Sequence, residues 1–228
     1  MTYGNTSVFG SVSQAPALVR AGFLRQVYGL FFISILVTIV VGVITAGMGP
    51  VMMKFQMPLL IAFIVLAIAM AFARRTTGLN IALFYLFSAV EGAIAGPMLM
   101  LINLTAPGVP MMAAVITGGI FGGLSLYALV SGKDFSFLGG FLFMGLIAVM
   151  IGGLVLMFLH VAALYTLYTV GGALIFSGYI LYDTSMIMRK LAPEQAIIGA
   201  ISLYLDLVNL FWFILQILME FSGNSRRN

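Results

Sequence analysis

The sequence predicts an all-α integral membrane protein with seven transmembrane helices, and three observations predict it. Of its 228 residues, 63% are hydrophobic and only 7% are charged, against about 25% charged in a soluble domain. Mean hydropathy is +1.20. The apolar residues fall into successive runs near the ~20 residues that a membrane-crossing helix needs. A soluble enzyme is therefore excluded. Ten Lys and Arg against six Asp and Glu leave a net charge of +4. In a membrane chain such bases mark cytoplasmic loops, so no nucleic-acid partner is expected. There is no Cys and a single His, His160, which rules out disulfides, thiolate chemistry and a His/Cys metal cluster. No cofactor is expected.

Residues 1–19 are small and polar, with no charge before Arg20, and read as a flexible tail. Residues 20–221 form a single seven-helix domain and 222–228 a short basic tail with Arg226 and Arg227. The first apolar run, Val27 to Gly47, follows Arg20 and Arg25 and is too long for a cleaved signal. Gly, Pro and charge set the later breaks. The turn from Gly49-Pro50 to Pro58, with Lys54, leads to span two, about 57–73. The basic turn Arg74-Arg75-Thr76-Thr77-Gly78 leads to span three, about 79–102. The uncharged turn Asn103 to Pro110 leads to span four, about 110–130, and Ser131 to Asp134 to span five, about 136–159. A short turn at His160 leads to span six, about 162–182, with its helical pattern running on to Lys190. The break at Pro193-Glu194-Gln195 leads to span seven, about 197–220.

Seven bases (Arg20, Arg25, Arg74, Arg75, Lys133, Arg189, Lys190) then share the side that holds the N-terminus, against Lys54, Arg226 and Arg227 opposite. The N-terminus is thus expected in the cytoplasm. A re-entrant span seven would move Arg226 and Arg227 across and sharpen that bias. The 24-residue apolar stretch is long enough to cross, and seven spans are the expectation. Gly pairs recur at 118–119, 122–123, 139–140, 152–153 and 171–172. Gly118/Gly122 and Gly119/Gly123 form small-xxx-small pairs. They are expected to pack helices within the bundle, with a dimer interface as the alternative.

Six carboxylates carry the functional argument. Asp134 and Glu194 lie in loops, and Glu220 lies at the far end of span seven. Glu91, Asp183 and Asp206 fall within apolar spans. A charge at a helix centre costs roughly 2.5–3.5 kcal/mol on insertion scales, so such residues are functional hypotheses by default. Stepping span seven by four and three gives Ser202, Asp206, Asn209, Phe213, Gln216 and Glu220, a stripe polar at all but one position. Such a stripe must face the bundle interior or a watery path.

Asp183 precedes Pro193 by 10 residues and Asp206 follows it by 13. On antiparallel neighbours rising ~1.5 Å per residue, the two reach similar depths. If both face inward, they cannot both ionise cheaply and share a proton. Such a dyad senses pH and, once deprotonated, offers hard oxygens to Ca²⁺. Each residue also has a plainer reading. Asp183 would end span six in solvent, Asp206 would hydrogen-bond structurally, and Glu91, near Ser88, would be a protonated carboxyl between helices. Arg74 and Arg75 would set topology, or one of them would pair with the dyad and close it. His160 reads as an interfacial turn residue.

The stretches Lys133-Asp134-Phe135-Ser136-Phe137-Leu138-Gly139-Gly140, Gly178-Tyr179-Ile180-Leu181-Tyr182-Asp183-Thr184 and Ser202 to Phe211 resemble the Bax inhibitor-1 family. The resemblance covers about residues 20–221. It implies six helices surrounding the seventh, a cytoplasmic N-terminus and a pH-sensitive Ca²⁺ leak. By that resemblance Asp183 and Asp206 are the dyad, hydrogen-bonded when protonated, and Arg74 is the latch that engages it. Glu91 departs from some bacterial relatives and would add a cation site or move the pH midpoint. The short polar N-terminus suggests a bacterial member in the inner membrane.

Expected partners are the lipid bilayer, protons and Ca²⁺, the last as a permeant or weakly bound ion at Asp183 and Asp206. The runner-up function is a membrane-embedded modulator of a partner, such as a membrane protease or a stress-response complex, with no ion flux of its own. A proton-coupled transporter would need broken helices, for which Gly96-Pro97 in span three is the sole candidate. An intramembrane aspartyl protease would share Tyr182-Asp183 but needs Gly-x-Gly before its second aspartate, where Leu203 and Leu205 stand.

Overall fold

The computed structural model describes residues 10–73, 77–159 and 161–225. Its helices are α1 (Ala17–Ala46), α2 (Pro50–Met53), α3 (Gln56–Phe72), α4 (Thr77–Thr105), α5 (Val109–Ser131), α6 (Gly139–Leu156), α7 (Ala162–Arg189) and α8 (Ala196–Ser225). No β-strand occurs among the described residues. Six helices, all but α2 and α3, are long and apolar enough to cross a membrane. The chain is an all-α, multi-pass membrane protein. Most of the predicted spans hold to within a few residues, and α2 is a short helix inside what reads from sequence as a loop. Left-handed Gly108 and Gly132, at φ 80° and 60°, bound α5. This is a conformation that residues with a Cβ rarely adopt. Pro97 lies inside α4, which runs on unbroken to Thr105. The helix break that a transporter would place there is absent.

The described residues divide into two compact units. The first comprises 16–73, 77–107 and 193–204, and the second 10–15, 108–159, 161–192 and 205–225. α8 is one continuous helix whose segment through Tyr204 belongs to the first unit and whose remainder belongs to the second.

In the first unit α1 and α4 lie side by side and parallel. Gly92 backs onto Thr38, and Gly96, one turn later, onto Gly42. α3 runs antiparallel to α4, because Gln56 Nε2 donates to the Ile94 carbonyl (3.4 Å) while Phe63 stacks on Phe87 at 4.4 Å between centroids. Two adjacent parallel helices require the intervening chain to return over their length, and α3 is that return. Its 17 residues span about 25 Å, somewhat less than the ~30 Å hydrocarbon core.

In the second unit α6 packs antiparallel on α7 through small residues. A Cβ on Gly139 would lie 3.0 Å from the Tyr182 ring, and one on Gly152 would lie 3.2 Å from Tyr168. Ser125 and Thr184 hydroxyls meet at 3.5 Å between α5 and α7. The glycine stripe of α5 behaves differently from expectation. A Cβ built on Gly118, Gly119, Gly122 or Gly123 meets nothing within 4 Å. The close helix approach comes instead from Gly42, Gly92 and Gly96. Part of the segment read as a loose tail is seated. Val12 is fully buried, its amide donates to the Leu191 carbonyl (2.8 Å), and Ser13 Oγ donates to the Arg189 carbonyl (3.1 Å). These carbonyls at the end of α7 have no intrahelical partner.

Candidate functional site

The second unit brings Asp183 and Asp206 together, with their carboxyl groups in hydrogen-bonding contact. α7 supplies Asp183 six residues before its end at Arg189, and α8 supplies Asp206 ten residues after its start at Ala196. The antiparallel pairing that follows the turn at Pro193 levels them. Asp206 is buried, at 4% exposure, and its Oδ2 has no hydrogen-bond partner. Asp183 is part-exposed. Tyr179, one turn before Asp183, is close enough to both carboxyl groups to feel their charge. Arg74 falls outside the described residues.

The rest of the stripe on α8 divides. Gln216 accepts from the Tyr165 hydroxyl at 3.2 Å, and Glu220 accepts from Thr166 Oγ1. Both partners lie within the first five residues of α7. Asn209 donates to the Leu205 carbonyl of its own helix at 2.8 Å. Phe213, the apolar member of the stripe, is buried between Phe176 and Tyr168. α7 answers with its own stripe at the same stepping: Tyr165, Thr169, Gly172, Phe176, Tyr179 and Asp183. That pattern is visible in the sequence once span six is stepped as span seven was.

Ser202 and Glu91 belong to the first unit and the carboxyl pair to the second. There Glu91 is buried at 7% exposure and lies near enough to Tyr204 for charge interaction. The fully buried Tyr204 shares a 2.8 Å hydrogen bond with Thr38 Oγ1, which also donates to the Ser88 carbonyl (3.0 Å). Ser88 Oγ itself donates to the Phe84 carbonyl at 2.9 Å. The Tyr204–Thr38 contact escapes sequence reading because it joins residues 166 positions apart.

Among the described residues no group of three or more His, Asp or Glu side chains is arranged to hold a metal ion. Two carboxylates offer at most four oxygens, against the six to eight that Ca²⁺ takes. Water would have to complete the shell of a cation resting there.

Residues 20–223 match the family described as "Inhibitor of apoptosis-promoting Bax1". The chain belongs to the Bax inhibitor-1 family. It is 30% identical to mouse protein lifeguard 4, over 92% of this chain and 90% of that protein. It is 32% identical to a vaccinia virus Golgi anti-apoptotic protein, over 91% and 89%. An uncharacterized protein of Campylobacter jejuni is 35% identical over 88% and 89%.

Proposed function

We propose that this Bax inhibitor-1 family protein is a pH-sensitive Ca²⁺ leak in a bacterial inner membrane, with a cytoplasmic N-terminus, gated by the Asp183–Asp206 pair. The observation that carries the reading is the contact between the two carboxyl groups, one of them buried with an unpartnered oxygen. Like charges in contact in a low-dielectric site cannot both persist, so the pair holds a proton between them and binds α7 to α8. As pH rises, that proton leaves. The hydrogen bond then becomes a repulsion, and the vacated oxygens can meet a hydrated divalent cation. Within the pair's unit, Tyr179 lies close enough to both carboxyl groups to feel their charge, and a phenol supplies no positive charge to them. Arg74 is the proposed counter-charge that closes the pair again.

The test is the purified protein in liposomes loaded with a Ca²⁺ dye, scanned across neutral pH. A leak above that of empty liposomes, growing as pH rises and flattened by Asp183→Asn and Asp206→Asn, is expected. No leak removes the channel reading, and a leak whose pH response survives both substitutions removes the dyad.

A second reading is favoured by the relatives' names. The vaccinia relative is called anti-apoptotic, and the family description speaks of inhibiting a death-promoting protein. The chain would then modulate a membrane partner without flux, and the polar pair would act as a stability switch. Stoichiometric capture of a partner, with liposomes that stay tight, would identify that case.

A further inference from the structure

We propose that Phe213 is a hydrophobic gate on the path, separating the Asp183–Asp206 pair from a polar mouth formed by Tyr165, Gln216 and Glu220. This rests on the leak reading above and assigns the barrier to a residue outside the carboxyl pair. Phe213 is the one apolar position in the polar stripe of α8, and it is 5% exposed. Its ring stacks on Phe176 at 5.8 Å and 24°, and meets the Tyr168 ring edge-on at 5.3 Å and 62°. It lies directly against Gly172, where a Cβ would approach its Cδ1 to 2.6 Å. The notch at Gly172 lets a whole ring lie across the α7–α8 seam.

The order along the seam gives the ring its role. Asp206 lies seven residues to one side of Phe213, about 10 Å along the helix. On the other side the first polar group is Gln216, less than one turn away, followed by Glu220. Polar side chains thus flank an aromatic layer on both sides. A hydrated cation must shed or squeeze its shell to pass a closed apolar layer, and water leaves such a constriction readily. The carboxyl pair and the ring then divide the work. The pair responds to pH, and the ring sets the resting barrier.

Because the chain has no Cys, single cysteines report accessibility cleanly. In liposomes, Asn209→Cys and Gln216→Cys would each be exposed to a membrane-impermeant maleimide on the side holding the α6–α7 turn. Gln216→Cys is expected to label and Asn209→Cys to resist, with Phe213 intact. Adding Phe213→Ala should make the second label as fast as the first and raise Ca²⁺ leak several-fold, while the pH response is kept. Phe213→Leu, which keeps an apolar plug, should stay near the parent in both assays. Equal labelling of the two cysteines with Phe213 in place overturns the gate, as does an unchanged leak in Phe213→Ala. A parent protein that never leaks removes the leak reading instead, and the labelling contrast still decides whether the ring is a water barrier. That contrast needs no Phe213 substitution, so a poorly folded Phe213→Ala does not shelter the proposal.

Discussion

Adding one methyl group at Gly96 should break the closest helix contact in the first unit. A Cβ there would sit 2.5 Å from Thr45 Oγ1 and 2.9 Å from the Gly42 carbonyl carbon, and closer still to the carbonyl oxygen, where ordinary contact begins at 3.4 Å. Thr45 is buried and bonded to the Val41 carbonyl at 2.9 Å, so it cannot swing aside without losing that partner. The Gly42 atoms are backbone and cannot move without the helix. α1 and α4 must therefore separate by more than about half an ångström along a seam that also carries Gly92, where a Cβ would lie 3.1 Å from the Thr38 carbonyl carbon. Overpacking of this kind costs about 1–3 kcal/mol, and the gain in helix propensity of about 1 kcal/mol for Gly→Ala offsets only part of it. Gly118→Ala is the matched control, since its Cβ meets nothing within 4 Å. It should leave stability unchanged or raise it slightly. Reversible unfolding in mixed detergent micelles, followed by helical circular dichroism, would compare the two. Gly96→Ala unfolding no more easily than Gly118→Ala would refute the reasoning, because the close approach would then be dispensable or compliant.

Two further outcomes follow from the hydrogen bonds. Tyr204→Phe removes the hydroxyl that meets Thr38 but leaves Thr38 Oγ1 its bond to the Ser88 carbonyl. The loss should be about 0.5–1.5 kcal/mol, smaller than for Thr38→Val, and an equal or reversed order in the same unfolding assay would contradict the network. In the loop between α5 and α6, Asp134 accepts the Ser136 amide at 2.9 Å, and that bond, with Arg189 and Lys190 nearby, holds its carboxyl below the ordinary 3.8. A depressed native pKa adds stability that is present above the unfolded value and lost as pH falls through the native one. Asp134→Asn should therefore flatten the acid limb of stability and leave neutral pH nearly unchanged. A carboxyl ¹³C titration of Asp134 at or above 3.8 would count against it.

The helices and their order are legible in the sequence because a membrane helix needs only length and apolarity, and both are local. Asp183 and Asp206 are legible for a related reason. Charge is scarce, and a short turn at Pro193 between antiparallel helices brings positions 10 residues before it and 13 after it to similar depths. The stripe on α8 follows from helical period alone. The glycines mark where local reading stops. The paired stripe at Gly118–Gly123 has the better motif, yet Gly42, Gly92 and Gly96 make the close contact. Which glycine meets a backbone depends on which helices become neighbours and how they rotate, and neither is encoded within one helix. The same holds for Phe213. From the sequence it is one apolar exception in a polar stripe; the notch at Gly172 and the rings of Phe176 and Tyr168, brought up by α7, give it a layer to complete. Composition and period determined which residues are polar and at what depth. Only tertiary packing decided which of them touch, because contact depends on the rotation and neighbours of whole helices.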